Sequence, residues 1–85
     1  MAKSFNIKII TPAKMVYEGD IVSLIAPSEL GYVGILADHA PFIASLVKGK
    51  IILREASDKT TTFNLQETGF MEVLKNNVTI FLKNL

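Results

Sequence analysis

Two features of one stretch could do chemistry. Gly31 to Pro41, GYVGILADHAP, holds the only histidine of the 85-residue sequence beside an aspartate. Asp38 and His39 suggest an acid–base pair. Neighbours on an extended chain point to opposite sides, however, so adjacency alone does not make a dyad. A nucleophile elbow of the G-x-S-x-G type is absent, and one histidine without cysteine does not make an ordinary zinc site. The same stretch contains Gly31-x-x-Gly34. A phosphate-cradling loop needs a helix N-terminus behind its glycines, and no helical pattern follows here. Both therefore read as turn glycines, and Pro41 holds Ala40 extended. The stretch is expected to form a tight turn, a very short strand and a rigid exposed corner. There His39 would make a corner or interface hydrogen bond.

A further candidate is Asp58-Lys59-Thr60, placed at a polar hairpin tip. Lipoyl and biotinyl carrier domains are small all-β modules that present a lysine in such a turn. The similarity here stops at Asp-Lys, so a carrier or another small β binding module stands as the alternative reading.

Composition narrows the classes. The length suits one domain, residues 1–85, and a domain this small buries only roughly 60–65% of its unfolded surface. Yet 49% of the residues are hydrophobic, and the mean hydropathy is +0.37. Part of that apolar surface is expected to stay outside the core, where it suits a partner. Nine basic residues against eight acidic leave a net charge of +1 without a basic block, so the electrostatic footprint of a nucleic-acid binder is missing. The absence of cysteine excludes disulfides and fits a reducing compartment. MAKSFNIKII is too short and polar for a signal peptide, and no run approaches the roughly 18 apolar residues of a membrane span.

The elements that must position these residues are strands. Ser4 to Ile9 alternates, with Phe5, Ile7 and Ile9 on one face. Met15 to Tyr17 is a short apolar piece closed by a Glu18-Gly19-Asp20 turn, and Ile21 to Ala26 suits a strand covered on both faces. Phe42 to Val47, Ile51 to Ala56, Thr61 to Leu65, Phe70 to Leu74 and Val78 to Leu82 follow. Their turns are at Lys48-Gly49-Lys50, Ser57-Asp58-Lys59 and Lys75-Asn76-Asn77, the last because Asn tolerates left-handed angles. No ten-residue segment has helical spacing free of Gly or Pro. The expected fold is all-β, about ten short strands in a sandwich or flattened barrel. Phe5, Ile7, Ile9, Phe63, Leu65, Met71, Val73, Val78 and Ile80 form an inner set. Ile10, Ile52, Phe70, Leu74 and Phe81 point the other way, as irregular edges or as an apolar docking face.

Gly34-Ile35-Leu36, His39-Ala40-Pro41, Gly49, Gly69-Phe70-Met71-Glu72-Val73 and Asn77-Val78-Thr79 together resemble the epsilon subunit of F-type rotary ATP synthase. That family carries G-I-L-P-x-H-A-P, a proline-glycine turn, then G-G-F-x-E-V with N-x-V-T, and order and spacing agree over nearly the whole chain. Ala37, Lys48 and Thr68 stand where the family has proline, the turn proline and the first glycine of a pair.

The resemblance implies a ten-stranded sandwich in the central stalk, non-catalytic and without cofactor or small-molecule substrate. It would join the gamma subunit to the c-ring at the cytoplasmic face of an energy-transducing membrane, a bacterial inner membrane by preference. By position it places Thr11, His39, Phe42 and Ala44 toward gamma, with Ala44 exposed, and Leu30, Gly31 and Tyr32 toward the c-ring. Many relatives continue into a C-terminal helical hairpin of roughly fifty residues that can obstruct rotation and in some binds ATP. This sequence stops at Leu85, so neither property is expected of it. The stalk reading predicts an intact mass without any acyl increment on Lys59. A lipoyl or biotinyl increment, read by mass spectrometry of the natural protein, would favour the carrier reading.

Overall fold

Side chains that alternate between apolar and polar can satisfy water on one face and a core on the other only in extended chain, and extended chain dominates. The computed structural model describes residues 3–85 and contains nine strands and no helix among them. They are β1 (Phe5–Ile10), β2 (Met15–Ile21), β3 (Ser23–Ser28), β4 (Gly31–Ile35), β5 (His39–Leu46), β6 (Gly49–Arg54), β7 (Thr60–Leu65), β8 (Gly69–Lys75) and β9 (Asn77–Leu82). They form one sheet in the order β2-β1-β9-β8-β5-β3-β6-β7, with β4 on the other edge of β3. All neighbours are antiparallel except β1 and β9.

The sheet folds over where β5 meets β3. That junction is a single residue pair, Ser28 with Leu46, flanked by Val47 N–H to Pro27 C=O at 2.8 Å and Glu29 N–H to Ser45 C=O at 3.1 Å. One layer is thus β2-β1-β9-β8-β5, and the other is β4-β3-β6-β7. At the far side Tyr17 of β2 meets Phe63 of β7 edge-on, with ring centroids 6.0 Å apart. The result is a curled half-barrel of the β-sandwich kind.

The core lies between the layers. Ile7, Ile9, Met71, Val73 and Ile80 from the first layer meet Leu24, Ile35, Ile51 and Leu53 from the second, all fully buried. Each such side chain contributes about 1.5–3 kcal/mol by leaving water. Every member of the inner set read from alternation is buried, except that Phe63 is half-buried against the core.

Four local expectations are corrected. Glu18-Gly19-Asp20 is not a turn but the interior of β2, an edge strand with one solvated side that tolerates charge. The chain bends at Val22 instead. The run Ile21 to Ala26, most of it in β3, is not covered on both faces, because Ile25 is exposed. Gly34 is not a turn glycine but lies within β4, where an added Cβ would meet nothing within 4 Å. Gly31 is one, with φ +118°. Finally, the β8–β9 turn places Lys75, not an asparagine, in the left-handed region at φ 54°, while Asn76 spends its amide on a distant aspartate.

Ile80 sits at the middle of β9, fully buried between β1 and β8. Ile80→Ala is expected to cost about 2–5 kcal/mol. A urea titration would show this as a lowered midpoint with an unchanged slope.

Candidate docking surface

The Asp38–His39 corner forms by local geometry that keeps its two side chains apart. Asp38 turns the chain between β4 and β5 with φ 63°. Its N–H donates to Asn76 Oδ1 at 2.7 Å, and Asn76 Nδ2 donates back to Asp38 Oδ1 at 2.9 Å. Lys3 Nζ donates to both carboxylate oxygens, at 2.9 and 3.1 Å. The Lys3 hydrogen bonds first, and the Asn76 bond second, hold the Asp38 carboxyl below the usual carboxylate range. His39 instead turns Nδ1 to the carbonyl of Ala40 at 2.7 Å and leans its ring on Phe42, 5.8 Å between centroids. Aspartate and imidazole therefore serve two separate tasks, and the corner is a polar clasp from residue 3 to the β8–β9 turn. Among the described residues, no group of three or more His, Asp or Glu could hold a metal ion. At the other candidate, Asp58 turns the chain with φ 68° and pairs with Arg54 at 3.1 Å, and Lys59 is exposed.

The outer face of the first layer is graded. Pairing across β5, β8, β9, β1 and β2 aligns Ser45, Phe70, Phe81, Ile10 and Met15 in one row. One step along, the row is Ile43, Glu72, Thr79, Lys8 and Glu18. A further step gives Leu74, Asn77, Asn6 and Asp20. Apart from Ser45 the first row is apolar, with Ile10 half-buried and Phe70 43%, Phe81 41% and Met15 49% exposed. Its ends run into grooves. Phe81 shares one with Ile10, Thr11 and Pro12. Phe70 reaches a cleft of about 380 Å³ whose other walls are Leu30 and Val33 on one side and Phe42, Ile43 and Ala44 on the other. One apolar band thus runs from Met15, across the first layer, to the β3–β4 tip.

The residues placed toward gamma do not form one patch. Thr11 lies beyond Ile10 at the apolar end, where its hydroxyl accepts the N–H groups of Ala13 and Lys14 and closes the β1–β2 turn. His39 pairs with Lys75 at the opposite end of the same layer, on the order of 20 Å away along the strands. Phe42 and Ala44 share a face, but it is the inner one. They pair with buried Val73 and Met71, are half-buried, and border the cleft. The exposure expected of Ala44 belongs to Ile43, one residue away on the alternate face. The residues placed toward the c-ring do sit together at the β3–β4 tip, where Leu30 is 98% exposed. Of the outward set, Phe70, Leu74 and Phe81 are exposed, and Ile10 and Ile52 are half-buried. Met15 and Ile43 were missed. For Ile43 the signal was available, as it alternates with Phe42 and Ala44.

The fold is that of a small β-sandwich domain, and its distinctive surface feature is an exposed apolar band. The chain belongs to the family described as ATP synthase, Delta/Epsilon chain, beta-sandwich domain, whose profile matches residues 4–85. It is 38% identical over 79 residues to the ATP synthase epsilon chain of Leptospira borgpetersenii, covering 93% of this chain and 61% of that one. It is 34% identical over 82 residues to the epsilon chain of Chlorobium limicola, covering 96% of this chain and 92% of that one. The chain thus spans about three fifths of the length of the first relative and nearly all of the second. The same fold occurs in a Euglena gracilis mitochondrial ATP synthase assembly of OSCP, F1 and c-ring, with TM-score 0.87 and 16% identity over 95% of this chain and 51% of that one. It recurs in the central stalk and c-ring of the Tetrahymena thermophila enzyme, with TM-score 0.77, 17% identity and coverage of 98% and 66%.

Because the Asp38 carboxyl is lowered in the folded chain, its clasp contributes stability above the unfolded value of about 3.9 and loses it as pH falls through the lower folded value. Asp38→Asn tolerates the left-handed turn but removes the ionic partner of Lys3. The variant is expected to be less stable than the parent at pH 6, with the difference shrinking in urea titrations as the pH falls below the ordinary carboxylate range.

Proposed function

We propose that the chain is a non-catalytic central-stalk subunit of an F-type ATP synthase. It would hold the gamma subunit to the c-ring so that rotation driven by ion flow reaches the catalytic head without slip. The observation that carries this reading is the continuous apolar band from Met15 to Leu30. Phe70 is 43%, Phe81 41% and Met15 49% exposed, and the band reaches both layers, as a part held between two partners requires. Support comes from relatives named ATP synthase epsilon chain and from fold neighbours in assemblies described by their central stalk and c-ring.

In this reading gamma covers the row of Phe70, Phe81 and Ile10 together with Thr11. The cleft residues Phe42 and Ala44, and His39 at the far end, form the rest of that contact. Leu30, Gly31 and Tyr32 meet the c-ring. No helix among the described residues is long and apolar enough to cross a membrane. The chain would therefore reach the cytoplasmic face of the membrane through its partners.

The test is reconstitution. Adding the chain to a synthase stripped of its own epsilon subunit is expected to restore ATP-driven ion pumping. The double variant Phe70→Thr/Phe81→Thr removes both rings but keeps β-forming residues at the two exposed positions, so it should stay folded, as circular dichroism would check. Its binding to gamma should fall at least about tenfold, since buried aromatic anchors dominate interfaces, and pumping should not recover. Normal pumping with the double variant would remove the band from the mechanism.

A further inference from the structure

Folding one sheet over itself leaves, among the described residues, three strands with a neighbour on one side only: β2, β4 and β7. Such an edge is a template for another strand, and proteins blunt it with charge, proline, bulges or short length. β2 carries Glu18 and Asp20 and shifts register against β1. β4 has five residues, two of them glycine, which weakens a strand. β7 has no such guard. Its sequence, TTTFNL, is rich in β-formers and lacks charge, glycine and proline. Across the open seam β2 meets β7 through the Tyr17 and Phe63 rings and does not pair with it.

The phase of the β6–β7 ladder shows what this edge offers. Glu55 N–H donates to the carbonyl of Lys59 at 2.9 Å, so that pair is a bonded one. Bonded and non-bonded pairs alternate. Leu53–Thr61 and Ile51–Phe63 are therefore bonded, and the backbone groups of Thr60, Thr62 and Asn64 point off the sheet. Arg54, opposite Thr60, agrees, because its carbonyl accepts the N–H of Val22 on the other side. The flanks of the strand differ in sign, with Lys59 before it and Glu67 after it.

We propose that the β7 edge is a self-association site whose occupant is the β7 edge of a second copy. In an antiparallel pair with Phe63 opposite Phe63, Thr62 lies opposite Asn64, and Lys59 of each copy lies opposite Glu67 of the other. Free backbone groups then meet each other and opposite charges meet at both ends. The two half-buried Phe63 rings cover each other on the core side. The contact is two-fold and closed. A β7–β2 contact would instead be head-to-tail, against a strand that contains Glu18 and Asp20. One added strand pair buries less than the roughly 1,200 Å² of a standard interface, so the dimer depends on concentration. The pairing is independent of the stalk role and does not involve the Phe70–Phe81 row.

The test is sedimentation equilibrium of the purified chain from about 10 µM to about 1 mM, the range in which a contact this small dissociates. A dimer is expected at the upper end. Amide exchange should slow with concentration more at Thr62 and Asn64 than at Thr61 and Phe63. Lys59→Glu is expected to weaken the dimer severalfold, Glu67→Lys likewise, and the two together to restore it. Thr62→Lys/Asn64→Lys sets lysine against lysine across the pair and should abolish the dimer, with an unchanged circular dichroism spectrum showing that the chain is folded. A chain that is monomeric throughout the range would overturn the proposal. So would a dimer that persists in Thr62→Lys/Asn64→Lys, or one lost in Phe70→Thr/Phe81→Thr, which would place the contact in the first layer. Failure of the double charge reversal to restore association would overturn the register.

Discussion

The structure depends on one corner, where the sheet leaves the first layer and enters the second at the Ser28–Leu46 pair. Folding over there lays the apolar inner faces of the two layers against each other, so that one core serves both. The corner is therefore crowded, and glycines mark it. Gly69 faces Leu46 across β8 and β5, and a Cβ there would come 2.7 Å from Leu82 and 3.0 Å from the Phe81 carbonyl. Gly49 opens β6 beneath Tyr32 and Pro27. Leu46 is fully buried, and the Ser28 hydroxyl is used up within the hairpin. Folding over at this point also carries the β3–β4 tip to the edge of the first layer, where it faces β5 across the cleft.

Closure on one side sets what remains open. Leu24, Ile51, Met71 and Ile80 have no exposed surface, while the outer row of Phe70, Phe81, Ile10 and Met15 gains nothing from folding beyond contact with its cross-strand neighbours. Exposed aromatic and aliphatic pairs across strands stabilise a sheet modestly, which is weak reason to place four in register. The adjacent outer rows contain Glu72, Lys8, Glu18, Asn6 and Asp20, with exposed Ile43 and Leu74 at their β5 and β8 end. The grading from apolar to charged over three rows is the kind of boundary that a partner's edge would follow.

Much of this was legible in the sequence, and the failures have identifiable causes. Phe5-Ile7-Ile9 and Met71-Val73 give their inner face by alternation, because each strand has one wet side. Ile21 to Ala26 misled because continuous apolarity has two meanings, a strand buried on both faces or one that offers Ile25 to solvent, and periodicity does not separate them. Glu18-Gly19-Asp20 misled because turn residues are also tolerated on an edge strand, and edge position is set by topology. Phe42 and Ala44 do share a face, as alternation requires, but alternation does not say that it is the inner one. A bulge between His39 and Phe42 shifts the register of β5, so no count from the corner fixes which face either residue takes. The β8–β9 turn shows a related limit. Asn76 is drawn away by Asp38, 38 positions earlier, and a contact at that separation leaves no local trace.

The polar groups that attract attention in the sequence are spent on building the module. Asp38 is consumed by Lys3 and Asn76, and His39 by the adjoining carbonyl. Thr11 closes a turn and Tyr32 holds a backbone N–H of another strand. No buried side-chain nitrogen or oxygen among the described residues lacks a partner. Here such groups fix the positions of apolar ones, and what the surface offers a partner is shape: an exposed leucine, a cleft and an aromatic row. In the proposed stalk role the satisfied polar corners would keep such contacts stiff, and the apolar band they hold in place would keep them dry.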